Sequence, residues 1–176
     1  MRVLITNNTL AERAGTELYV RDIATDLIRR GHQPVAYSQT QGEVSEELRA
    51  VGVPVVDDLA QAGIAPDVIH GHHHLETMTA LNWFSSVPAI FVCHGWSPWQ
   101  EAPPIHPRIR RYVAVDELCR RRLVDEGGID PDLVEVILNF VDLDRFHPRP
   151  PLPEVVRRAL LISNHASSGV IAEEVG

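Results

Sequence analysis

Short runs rich in Val and Ile alternate along this chain with longer segments of helical period, and no other feature narrows the possible folds so far. The alternation predicts βα units around a mostly parallel, doubly wound, Rossmann-like α/β sheet. Strands are expected at residues 2–6, 33–38, 53–56, 68–70, 88–93, 112–115 and 133–138. Helices are expected at 16–31, where Leu18, Ile23, Leu27 and Ile28 share a face and Gly31 ends it, at 44–51, at 75–84, and after Asp116 as N-cap. In such a sheet ligands gather beyond the carboxyl ends of the strands, where the strand order reverses.

After Phe146 the stretch "HPRPPLPEVVRR" resists both helix and sheet and reads as a semi-rigid connector. The expected organisation is a domain over residues 1–147, a linker over 148–158 and the start of a second α/β domain over 159–176. Its 44% hydrophobic residues give the 176-residue chain enough for one core of ordinary size.

Charge removes several function classes. A net charge of −8 disfavours phosphate-backbone binding, so nucleic acid is not an expected partner. All 16 cations are arginines, which rules out a lysine Schiff base or a P-loop lysine within this chain. Cys93 and Cys119 have neither zinc nor redox-dithiol spacing, so a reduced cytoplasmic location is expected. No apolar run reaches the roughly 20 residues that span a bilayer. The groups Arg108, Arg110, Arg111 and Arg120 to Arg122 are candidates for an anionic acceptor or a peripheral membrane contact, although charge runs are usually solvated faces.

Three stretches carry candidate chemistry. Gly15 lies between the first strand and its helix, where backbone N–H groups and the helix dipole suit an anion; with only one glycine present the motif is weak, and a plain turn glycine is the simpler reading. In "DVIHGHHHL", strand alternation would put His70, His72 and His74 on one side. That pattern allows three readings: a capped strand end, ligand contact through His72 or His73, or the metal of a hydrolase, for which no acidic partner stands at the expected spacing. In "AIFVCHGWSPWQ", His94 and Gly95 sit where a buried strand emerges, beside Trp96 and Trp99. A histidine there can hydrogen-bond a ligand or move a proton near neutral pH, and alternation keeps Cys93 from pairing with it.

The segments "AGTELYVRDIATDLIRRGHQPVAYS", "DVIHGHHHL", "FVCHGW", "YVAVDELCRRRLVDEGGIDPDLVEVILNFVDLDRF" and "PRPPLP", in that order, resemble the N-terminal half of glycosyltransferase family 4 enzymes over about residues 1–165. The most specific piece is "VILNFVDLDRF", similar to the family's interdomain V-I-x-N-G-V-D-x-x-x-F: Asn139, Val141, Asp142 and Phe146 match, and Phe140 replaces the usual Gly. The resemblance implies the N-terminal half of a GT-B architecture, two doubly wound domains with the active site between them, this one mainly holding the acceptor. It implies transfer of a sugar from a nucleotide-sugar donor (UDP- or GDP-sugar) with retention of configuration and without a metal. His94 would lie near the donor sugar as the catalytic residue. Gly15, Thr16, Glu17, His72, His73, Gly95 and Trp96 would bind substrate, while Asn139 and Asp142 would belong to the interdomain region. Ala14 stands where the family usually has glycine, and its Cβ hinders close backbone approach. The family's paired glutamates belong to the second domain, so this chain alone is expected not to turn over. Its partners would be a sugar, lipid or small-molecule acceptor and a C-terminal donor domain, with self-association through an exposed sheet edge as a further expectation. A non-catalytic binding subunit of a split transferase is the alternative from a different class.

Overall fold

A computed structural model describes residues 1–148, 151 and 155. In chain order the elements are β1 (Arg2–Thr6), β2 (Thr9–Leu10), α1 (Gly15–Arg29), β3 (Gln33–Tyr37), β4 (Thr40–Gln41), α2 (Glu43–Ala50) and β5 (Val55–Val56). There follow β6 (Val68–His72), α3 (His74–Trp83), β7 (Ala89–Cys93), β8 (Ile109–Ala114), α4 (Glu117–Arg121) and β9 (Val134–Val136). Short 3-10 turns at Leu59–Ala62, Trp99–Glu101 and Pro131–Leu133 and a π segment at Arg122–Glu126 complete the set.

Seven strands form one sheet in the order β5-β3-β1-β6-β7-β8-β9, and every neighbouring pair is parallel. The order reverses between β1 and β6, as in the doubly wound fold expected from the sequence. Val20 and Ala24 of α1 and Val44 and Leu48 of α2 pack with Val3, Ile5 and Ala36 on one face. Ala80 and Leu81 of α3 and Cys119 of α4 pack with Leu4, Ile69 and Phe91 in the other buried cluster. These two apolar layers position the strand ends on which the candidate site stands.

Several boundaries differ from the sequence reading. The fourth main strand runs on to His72, because Gly71 and His72 pair with Phe91 and Val92 and the His72 amide donates to Thr6 Oγ1 at 3.0 Å. The strand through Tyr112 begins at Ile109, its Arg110 and Arg111 turned to solvent, and the last strand covers only Val134–Val136. Ile28, expected on the apolar face of α1, is 37% exposed. The small β2–β4 pair had no periodic signal. Asp116 caps α4 as expected, its Oδ1 accepting the Cys119 amide at 2.7 Å.

The chain divides into two compact units, Met1–Asn139 and Phe140–Gly176. Within the second, Asp142 Oδ1 accepts the amides of Asp144 and Arg145 at 2.9 and 3.2 Å, closing a tight turn. Nearly all of the expected linker and the whole of the expected second-domain start lie outside the described residues.

Candidate functional site

The switch point, beyond which ligands gather in doubly wound folds, lies where the chain leaving β1, the first turn of α1 and the carboxyl ends of β6 and β7 come together. Gly15 is the first residue of α1, and a Cβ built on it would meet nothing within 4 Å, so the packing itself does not demand glycine there. Oδ1 of Asn7 and Oδ1 of Asn8, just past β1, are buried with no hydrogen-bond partner among the described residues. An unmet buried acceptor is costly, so these two oxygens are a local expense of the fold just past β1.

Three histidines converge here. His70 and His72 share one face of β6 by strand alternation, and His94 follows β7 on the same side. Nδ1 of His72 lies 2.8 Å from Nε2 of His94, and Nε2 of His72 lies 3.2 Å from Nδ1 of His70. The His72 and His94 rings are tilted by 26° with centroids 4.9 Å apart; with their nitrogens much closer than that, they meet edge to edge. Tyr19 of α1 sets its ring against both, 4.7 Å from His94 and 5.5 Å from His72. Burial lowers His94 to about 3 and His70 to about 4, and it holds His72 well below its ordinary value, with the facing imidazoles adding to the effect. At neutral pH all three rings are therefore uncharged.

His94 is also held by its backbone. Its amide donates to Glu101 Oε2 at 2.9 Å, and Glu101 Oε1 lies 3.3 Å from His73 Nε2. Burial raises the Glu101 carboxyl and lowers His73 to about 4, so both sides of that contact resist charge and it is not a full ion pair. The loop between His94 and Glu101 is closed from behind by Arg122, which donates to the carbonyls of Gly95 and Pro98 at 2.8 and 2.7 Å. The corner out of β6 is tight: His73 has φ 63° and ψ 146°, a backbone region that costs of order 1–3 kcal/mol for any residue but glycine.

That corner explains why the expected His70, His72 and His74 row does not form. Alternation ends at His73, and His74 opens α3 with Nδ1 3.0 Å from the Ala102 carbonyl oxygen. His94 takes the third place instead. Among the described residues no three His, Cys, Asp or Glu side chains are arranged to hold a metal ion.

The other sequence candidates separate clearly. His72 is fully buried with both ring nitrogens engaged, and His73 is also buried. Glu17 is buried as well, accepting the Thr16 hydroxyl at 3.0 Å. Gly15 and Trp96 are exposed, and Gly95 packs its backbone against Pro98. Cys93 points away into the apolar cluster, its thiol pushed up to about 11 by burial, so it forms no nucleophile with His94. Of the arginine candidates, Arg108 binds the carbonyls of Leu81, Phe84 and Val87, and Arg122 is buried in the loop contacts above. Sequence reasoning missed Tyr19 and Glu101, and it read Arg122 only as part of a charged group, not as the support behind this loop.

The family model for glycosyltransferase family 4 matches residues 13–145. The chain belongs to glycosyltransferase family 4. A solved structure of Anabaena HepE in complex with UDP-glucose is 18% identical, with a TM-score of 0.62, over 82% of this chain and 45% of that one. A glycosyltransferase from Rickettsia africae is 17% identical, with a TM-score of 0.63, over 87% of this chain and 46% of that one. Both likenesses are of fold, the Rossmann-like half of a GT-B glycosyltransferase, and this family 4 chain spans less than half the length of either. Among curated proteins no sequence match is found.

Proposed function

We propose that this chain is the acceptor-side domain of a retaining glycosyltransferase that moves a hexosyl group from a UDP- or GDP-sugar to a sugar, lipid or small-molecule acceptor. His94 is the residue that meets the reacting sugar. Gly15, Thr16, Gly95 and Trp96 line its approach, and Asn139 and Asp142 belong to the connection toward a donor domain. This chain alone binds ligand and does not turn over.

The observation that carries the reading is the state of His94: a neutral imidazole at the carboxyl end of β7, one ring nitrogen engaged by His72 and Nδ1 without a partner among the described residues. A neutral ring can hydrogen-bond a sugar hydroxyl at neutral pH without adding a charge to the site. Family membership supports a transferase, and the Anabaena protein's complexes with UDP-glucose and with UDP and glucose support the choice of donor.

The test is calorimetric titration of the purified chain with UDP-glucose, the GDP-sugar and free glucose, repeated on His94→Ala. The expected result is weak binding of at least one of them, reduced tenfold or more by the substitution, a change of about 1.4 kcal/mol. Binding that ignores His94 in a folded variant would remove the reading.

A further inference from the structure

The two imidazole contacts have a consequence that neither has alone. A neutral imidazole carries one N–H and one bare nitrogen, so in each contact one ring must donate and the other accept. His72 takes part in both, through Nδ1 to His94 and through Nε2 to His70. Only two arrangements keep both hydrogen bonds. In the first, His70 Nδ1–H donates to His72 Nε2, His72 Nδ1–H donates to His94 Nε2, and His94 is left with its proton on Nδ1. In the second every direction reverses: His94 Nε2–H donates to His72, His72 Nε2–H donates to His70, and Nδ1 of His94 is bare.

We propose that His70, His72 and His94 form one tautomer-coupled unit, in which His70 and His72 are positioning residues that decide whether His94 offers a ligand a donor or an acceptor. Its meaning for sugar binding rests on the reading of His94 given above; the coupling itself does not. The surroundings favour a unit that moves as a whole. Thr6 Oγ1 both accepts the His72 amide at 3.0 Å and donates to the His72 carbonyl at 3.1 Å, fixing the middle residue's backbone. Glu101 fixes the His94 backbone, and Tyr19 closes the edge shared by the two rings. Burial of the group keeps a proton from being added to settle both contacts by charge. Exchange between the two arrangements conserves protons: one is taken up at Nε2 of His70, each shared proton shifts across its contact, and one leaves Nδ1 of His94. The site's donor or acceptor character is thereby set two side chains away from it.

Long-range ¹H–¹⁵N correlation spectra of the ligand-free chain, labelled with ¹⁵N-histidine, read the tautomer of each ring directly. The expected result is that His70, His72 and His94 all carry their proton on the same-named nitrogen, all on Nδ1 or all on Nε2. Rings in opposite tautomers would overturn the proposal, and this reading needs no variant. His70→Leu is expected to change the tautomer populations of His94, whereas His70→Asn, which keeps a hydrogen-bonding group near the place of Nδ1, restores the original pattern. A His94 spectrum identical in a folded His70→Leu protein would also overturn it. Since no ligand is present, a failure here leaves the titration with UDP-glucose to stand or fall separately.

Discussion

Glu101 holds two histidines at once, the backbone of His94 through one oxygen and the ring of His73 through the other. Glu101→Ala would leave a half-buried amide and a buried imidazole without partners, a loss of roughly 1–3 kcal/mol. Glu101→Gln keeps an acceptor and should retain most of that stability, as urea denaturation of the two variants would register; equal midpoints for Ala and the parent would sink the assignment. Nothing in the sequence marked this residue. His94 was legible because it follows an unbroken apolar run, but Glu101 lies in a loop dense with Trp and Pro, and its return to the strand end is a tertiary event. The inward position of Arg122, named only within a charged group, was hidden for a different reason. The residue is one of three consecutive arginines, and only the π segment after α4 decides that this one turns inward to Gly95 and Pro98.

At the scale of elements, β6 holds the site together because it places His70 and His72 on one face and Gly71 on the other. A Cβ on Gly71 would lie 2.5 Å from Thr77 Oγ1 and 3.1 Å from the Ile90 carbonyl, so the strand and α3 must part to admit it. Gly71→Ala should therefore cost about 1–3 kcal/mol of stability and disturb both imidazole contacts. Thermal unfolding and the histidine spectra together check this, and an unchanged melting temperature would contradict it. The sequence located every main strand and helix, since each carries an apolar face with a readable period. Ends were harder to read: polar His72 extends a strand that hydrophobicity would stop early, and two-residue strands such as β2 and β4 have no period to show.

For the whole molecule, burial of uncharged histidines ties stability to pH. His70, His73 and His94 are lowered from an ordinary value near 6.5 to about 4, 4 and 3, and His72 is also lowered. Above 6.5 these groups are neutral in both states and contribute no slope. Between 6.5 and about 4 the unfolded chain binds protons that the folded one refuses, so stability falls as pH falls, by up to ~1.4 kcal/mol per pH unit for each ring. Glu101, raised by burial, opposes this by taking up its proton more readily in the folded state. Urea midpoints at pH 7, 6 and 5 should decline in that order; a flat series would show that the rings are charged or exposed. The topology around them was legible from the alternation of strand and helix signals, whereas the meeting of His94 with His72 depends on a register that no single sequence states. All seven strands of the sheet also run in one direction, so the turns that leave them gather at one end and the turns that feed them at the other. If the site at His94 is the one proposed above, a longer or tagged turn that feeds a strand is expected to spare it, and a change of specificity is expected to require the turns that leave the strands.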